Sequence, residues 1–390
     1  MTILNHDKIY YLFKEDGKYQ KIVRYYHDWV IFPYFHYNSE NEYCLIEFFN
    51  GDEFDHFLLE ELLDKEHLEK IYNKTAYLLL NNSHEAFHWI VKDVYKYIVQ
   101  EFKVPTQQII LLSESADICD VINATAKEYG LEPIYSKWIN KFQYDVHRHN
   151  NDFINEGGSR TPPKLQTYTK KFINLNRRWR DHRTALVAGL WDRGILDLGY
   201  VSLAKSDDER NWKNILPTLE NLFAEDDYFL NLFKNNKTEL ENFPELRVDS
   251  VDLTKNQPNL NSSLDYFYKN TYFSVISETN FFTKWPDHSA RFMSEKTFKP
   301  IAYKHPFIIV SVPRFLEKLR YIGYKTFSPY INESYDLESN DSLRLVKIID
   351  EIERLSKFND SELEEFVKGV ADICEHNYNV LMNRSDFIYD

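Results

Sequence analysis

The sequence predicts an α/β protein built from two doubly wound, parallel-sheet domains. Short apolar runs alternate with stretches of 3.6-residue period in both halves of the chain. The 390 residues exceed what one hydrophobic core usually supports, and a stretch near residues 150–164 interrupts the pattern between the halves. Hydrophobic residues at 43%, with 28 Tyr, 28 Phe and 7 Trp, are enough to bury large cores and exclude an intrinsically disordered chain.

The first strand with a clear signal is Ala76-Tyr77-Leu78-Leu79-Leu80, followed by an Asn81-Asn82-Ser83 loop. A helix follows, with Phe87, Ile90, Val91, Val94, Tyr95 and Ile98 on its apolar face and Ser83 placed as its cap. A second strand, Gln108 to Ser113, leads into a helix carrying Ile118, Val121, Ile122 and Ala126, stopped by Gly130. The run Glu132-Pro133-Ile134-Tyr135 reads as a third strand. The segment NNDFINEGGSRTPPK, residues 150–164, loses periodicity and collects Asn, Gly and Pro, so it reads as a linker between domains over 1–160 and 165–390. Beyond it come a strand at 171–175, a helix at 181–193 stopped by Gly194 and a strand at 200–203. Strands at 272–277, 306–310 and 324–327 alternate with helices at 296–303 and 313–322, and helices near 342–357 and 360–383 close the pattern.

The balance of 47 Lys and Arg against 61 Asp and Glu, net −14, argues against a surface built to coat nucleic acid or an anionic membrane. Any polyanion site must be local. Cys44, Cys119 and Cys374 are far apart, with no CxxC pair, and read as core thiols of a reducing compartment. No segment reaches about 18 uninterrupted apolar residues, so the expectation is a cytoplasmic protein without a membrane span.

Against that acidic background, residues 170–183 hold Lys170, Lys171, Arg177, Arg178, Arg180 and Arg183 where a strand hands over to a helix. Unpaired N–H groups and the positive helix end favour an anion there, and guanidinium forks match phosphate oxygens, so a diphosphate suits the segment. A solvated charged face is the plainer reading. GxxxxGK[ST] and GxGxxG are both missing. A second group, Ser294-Glu295-Lys296-Thr297, sets a hydroxyl cap, a carboxylate and an ammonium at a helix start, suited to ribose hydroxyls and phosphate.

The segments FINLNRRWRDHRTALVAGLWDRGILDLGYVSL and SEKTFKPIAYKHPFIIVSVPRFLEKLRYIGYKTFSPYINESYD together resemble the donor half of nucleotide-sugar glycosyltransferases. The resemblance is to fucosyltransferase-like and exostosin-like sequences and their viral and phage relatives. It covers roughly residues 170 to 340 and implies two Rossmann-like domains (GT-B type) with a cleft between them and C-terminal helices. It implies Glu295 as the ribose contact, with Lys296, Arg177, Arg178, Arg180 and Arg183 as diphosphate contacts, flanked by Ser294 and Thr297. The family's small-residue stretch is replaced by Tyr303-Lys304-His305, which alters the sugar pocket.

His84-Glu85-Ala86-Phe87-His88 is a formal HExxH, the pattern with which two histidines chelate zinc beside a glutamate base, with Glu101 or Glu114 as a third ligand. The longer HxxGxxH continuation is absent, and the pattern opens a helix instead of lying within one. In the two-domain transferase reading, His84 or Glu85 stands where an acceptor hydroxyl needs a general base. Glu278, Glu333 and Asp336 are further acids at strand or loop ends. With no DxD triplet at a strand end and a basic segment to neutralise a leaving diphosphate, no metal cofactor is expected. The expected function is sugar transfer from a nucleoside diphosphate sugar to a glycan, protein or nucleobase. The alternatives are a zinc metallopeptidase and a non-catalytic nucleotide- or glycan-binding protein. Early aromatic residues such as Tyr25, Trp29 and Tyr34 suit stacking on rings or a plain core.

Overall fold

The computed structural model describes residues 65–82, 88–156, 158, 170–176, 178–203, 211–246, 248, 262–284 and 289–389, and the backbone of three strands at 9–15, 18–24 and 42–47. It is a mixed α/β fold with two sheets. Their strands are β1 (Ile9–Glu15), β2 (Lys18–Arg24), β3 (Glu42–Glu47), β4 (Ala76–Asn82), β5 (Ile109–Ser113), β6 (Tyr135–Ile139), β7 (Phe172–Asn176), β8 (Gly199–Leu203), β9 (Phe273–Ser277), β10 (Phe307–Val310) and β11 (Ile388–Tyr389). The helices are α1 (Lys65–Tyr72), α2 (Trp89–Asp93), α3 (Ile118–Tyr129), α4 (Lys141–Asn155), α5 (Asp181–Asp192), α6 (Trp212–Leu222), α7 (Asp227–Asn235), α8 (Lys237–Glu241), α9 (Ser262–Lys269), α10 (Glu295–Ala302), α11 (Phe315–Tyr321), α12 (Asp341–Ser356) and α13 (Asp360–Met382).

The chain packs as two compact units: Met1–Lys141 with Trp285–Met293 and Ser385–Asp390, and Phe142–Lys284 with Ser294–Arg384. In the first unit the sheet order is β11-β6-β5-β4-β3-β1-β2. Strands β1, β3, β4, β5 and β6 run parallel, while β2 and β11 close the two edges antiparallel. Leu78, Leu79, Leu80, Ile109, Leu111 and Leu112 are buried, as expected of strands covered on both faces. The second sheet, order β10-β9-β7-β8, is wholly parallel. Taken by sequence its strands stand fourth, third, first, second, so the direction of winding reverses between β7 and β9. Ligands of doubly wound folds bind at that reversal, beyond the carboxyl ends of the strands.

Three local expectations are corrected. The strand expected at 132–135 lies at Tyr135–Ile139, because Pro133 has no N–H for a ladder and the Ile134 N–H donates to the Tyr95 hydroxyl at 3.0 Å. The run 324–327 is not a strand. Asn377 takes both polar groups of the Lys325 backbone, and Glu333 accepts the Phe327 N–H. The expected linker begins too early, since α4 continues through Asn155. Its buried Asn150 donates to Met382 Sδ at 3.0 Å, and His147 Nδ1 meets the Leu381 carbonyl at 2.8 Å. The helix after β4 is described from Trp89, with a π-helical segment at Val94–Glu101, while its expected cap Ser83 lies outside the described residues. Gly130 and Gly194 do end α3 and α5, both in the left-handed region.

Candidate active site

Strand β9, Phe-Ser-Val-Ile-Ser, is buried along its whole length, and the residue that follows is Glu278, fully buried. Its carboxylate is held by donors from the start of α10. Ser294 Oγ donates to Oε2 at 2.6 Å, the Ser294 N–H to Oε1 at 3.2 Å, and Thr297 Oγ1 to Oε1 at 2.6 Å. A buried carboxylate is tolerated only with such compensation. Lys296 completes the group, with Nζ donating to Ser294 Oγ at 2.6 Å and lying 3.6 Å from Glu278 and 3.8 Å from Glu295. Ser294 caps α10 as its sequence position implies, accepting the Lys296 N–H at 3.3 Å. Burial pushes the Glu295 carboxyl up, but the charges of Lys296 and Lys299, the helix N–H and the Ser294 side chain outweigh it and hold the group below the usual range. Glu295 is thus an ionised acceptor, 24% exposed.

Across the reversal point, the loop after β7 brings up Arg178, exposed, and Arg180, half-buried. Arg183 turns inward. It is 4% exposed, and its guanidinium donates to the carbonyls of Arg178 at 3.2 Å and of Ser277 and Glu278 at 3.1 Å each. Burial, then the neighbouring Arg180 charge, lowers its pKa to about 10, which leaves it cationic at neutral pH. This arginine therefore clamps the loop after β7 to the end of β9 and is not laid open for a phosphate. His182 also binds the Glu278 carbonyl, through Nε2 at 3.0 Å, and stacks on Phe281. Burial first, and then the Arg183 charge, holds its pKa well below the usual range, so it is a neutral Nε2–H donor. Asn174 and Asn176 tie the strand ends together, Asn176 Nδ2 donating to Asn174 Oδ1 at 2.6 Å and Asn174 Nδ2 to the Val275 carbonyl at 2.7 Å.

The structure thus brings Arg178, Arg180, Ser294, Glu295, Lys296 and Thr297 to one sheet edge, while Arg177 lies outside the described residues. Glu278, one of several lesser acids in the sequence reading, is the carboxylate that holds this group together. Its signal is its place one residue beyond an all-buried strand, a carboxylate with no reason to be there unless donors meet it.

In the first unit, Ser83, His84, Glu85, Ala86 and Phe87 lie outside the described residues. His88 is described, and its Nε2 is 2.8 Å from Ser115 Oγ. Glu114, fully buried, accepts the Lys141 N–H at 2.7 Å, and Asp117 pairs with the Arg291 guanidinium and accepts its main-chain N–H at 3.0 Å. Among the described residues no cluster of three His, Cys, Asp or Glu could hold a metal ion. Glu333 and Asp336 lie beyond β10, beside a cavity of about 470 Å³, and are engaged by backbone. Glu333 accepts the Phe327 and Ser328 N–H groups, and Asp336 Oδ1 accepts the Leu316 N–H at 3.0 Å in the first turn of α11. Among the described residues no helix is long and apolar enough to cross a membrane.

No protein-family model matches the chain, and no curated protein matches it either. Among solved structures it is similar to a glycosyltransferase from Rickettsia africae ESF-5, at 8% identity and a TM-score of 0.32, over 88% of this chain and 74% of that one. Identity and superposition at that level leave function to the residues themselves.

Proposed function

We propose that the protein is a glycosyltransferase of the two-Rossmann kind that takes a sugar from a nucleoside diphosphate donor held by its second unit. One observation carries this reading. At the reversal point of a parallel sheet, a buried Glu278 fixes Ser294, Thr297 and Lys296 opposite Arg178 and Arg180, giving an edge with cations for a diphosphate beside an ionised Glu295 for ribose hydroxyls.

Catalysis then comes from stabilising the leaving diphosphate with fixed positive charge, so no metal is required. Lys296 is pre-oriented by Ser294 and Glu278, which lowers the reorganisation needed when charge builds on the leaving oxygen. Arg178 and Arg180 add guanidinium forks from the loop after β7. The acceptor hydroxyl needs a general base, for which His84 or Glu85 is the candidate that the sequence offers.

The test is calorimetry and thermal shift with UDP, GDP, CDP, ADP and dTDP, with and without EDTA, on the wild type and on Arg178→Ala with Lys296→Ala. One nucleotide should raise the melting temperature regardless of EDTA, and the double variant should lose that response. If none of the five binds, or if EDTA abolishes binding, the metal-free donor site is refuted.

A further inference from the structure

The cavity of about 470 Å³ beside Glu333 and Asp336 opens in the second unit between α11 and residues 328–337, and its walls also include Arg320, Pro329 and Leu337. Its two carboxylates are not alike. Glu333 is spent: Oε1 accepts the Phe327 and Ser328 N–H groups, Oε2 accepts from Thr326 Oγ1 at 2.8 Å, and Arg320 Nη1 stands 3.7 Å from Oε2. Asp336 is 4% exposed and only half used. Its Oδ1 accepts the Leu316 N–H, whereas Oδ2 has no hydrogen-bond partner. The two cations whose charges reach Asp336 are bonded to other groups. Arg320 donates to Thr326 Oγ1 at 3.0 Å, and Arg344 donates to Asp341 and to the carbonyls of Ser311, Phe281 and Glu338.

Burial pushes the Asp336 carboxyl up to about 6, so at neutral pH the group is ionised, enclosed and one hydrogen bond short. What stabilises an acceptor in that state is a partner bringing both an N–H and a positive charge. An anion is disfavoured, since two carboxylates line the cavity against one guanidinium. The mouth adds a second requirement. Leu337 is 69% exposed, more than any other large apolar side chain among the described residues, and Pro329 is exposed as well. Apolar surface at the mouth and an uncompensated carboxylate within suit a charged head on a hydrocarbon stem. We infer that this cavity binds an aliphatic primary ammonium, its head meeting Asp336 and its stem lying on Leu337 and Pro329. The inference concerns a site apart from the proposed donor edge and does not rest on it.

Titration of the whole protein with n-butylamine and with n-butanol, followed by NMR shifts and calorimetry, tests it. The amine should bind at least tenfold tighter than the alcohol at pH 7.5. Its affinity should fall on the order of tenfold by pH 5, where Asp336 takes up a proton, the other charged groups facing it being Glu333, Arg320 and Arg344. Both arms use the wild type and do not depend on how a variant folds. Asp336→Asn, which keeps an acceptor for the Leu316 N–H, should lose the preference for the amine and its pH dependence, and Leu337→Ala on the exposed rim should weaken the amine about threefold. Putrescine and Nα-acetyl-lysine methylamide distinguish a free amine from a lysine side chain as the source, and tighter binding of either supports the inference. It is overturned if no amine binds, if the alcohol binds as well as the amine, or if the amine's affinity is the same at pH 5 or in Asp336→Asn.

Discussion

Both units place polar side chains at the carboxyl edge of a parallel sheet, yet the two edges are composed differently. In the first, Glu114 and Asp117 are met by a backbone N–H and by Arg291 from within the unit, so acid prevails and the charges are mutually engaged. In the second, among the described residues, Arg178, Arg180, Lys296 and Lys299 gather about Glu278 and Glu295, with Arg183 bonded inward to carbonyls. The same architecture can therefore carry an acidic edge or a basic one, and what decides is which side of the charge balance the strand-end loops supply.

The largest expected effect comes from removing the anchor of the cationic edge. Glu278→Ala strips the buried acceptor from Ser294, Thr297 and Lys296, and should cost about 3 kcal/mol of stability along with nucleotide affinity. Chemical denaturation and calorimetry would read both, and an unchanged midpoint would break the claim that Glu278 organises the site. Next, Lys296→Ala should weaken nucleoside diphosphate binding on the order of tenfold to a hundredfold while the melting temperature changes little, since the lysine is 27% exposed. Asp117→Asn supplies the contrast. Losing half of an ion pair should lower stability by about 1 kcal/mol and leave diphosphate affinity unaltered, because the proposed donor site is built from the second unit. A loss of affinity there would erase the difference between the edges.

The smallest effects are those of pH. His305 is fully buried, with Nε2 donating to the Thr271 carbonyl and Nδ1 facing Ser274, and burial lowers its pKa to about 4. The unfolded chain protonates this group first, near 6.5. Its stabilisation is therefore complete above about 6.5 and is lost as the pH falls toward 4. Asp336, raised by burial to about 6, acts oppositely, contributing below about 4 and losing that contribution as the pH rises through 6. Unfolding free energy against pH should gain slope from Asp336→Asn and lose slope from His305→Gln between pH 4 and 6.5. Parallel curves for the wild type and His305→Gln would refute the assignment.

Much of the fold is legible in the amino-acid sequence. Strands β4, β5, β7 and β10 announce themselves as short runs rich in Leu, Ile, Val and Phe, because strands covered on both faces leave few polar positions, those few being buried residues such as Asn174 and Asn176. The hairpin β1–β2 is missed although Asp16-Gly17 between two alternating runs is a strong hairpin signal, because its lysines and tyrosines lack a continuous apolar stretch. The Arg and Lys cluster is legible as a cluster, but which arginine points inward is not. That is decided by the carbonyls of Ser277 and Glu278, almost a hundred residues away in sequence. Glu278 is hidden for the same reason, since its partners lie 16 and 19 residues further on.

The closing strand β11 has a consequence for the order in which the chain is made. Ile388 and Tyr389 pair with Ile139 and Trp138, and the Asn140 N–H donates to the Phe387 carbonyl at 2.9 Å. The first unit to leave the ribosome is thus the last to be finished, waiting with β6 as a bare sheet edge while about 250 further residues are synthesised. A fragment ending at residue 141 would keep that edge bare and be prone to strand-to-strand aggregation, and supplying residues 385–390 on a short tether would be the way to make it soluble.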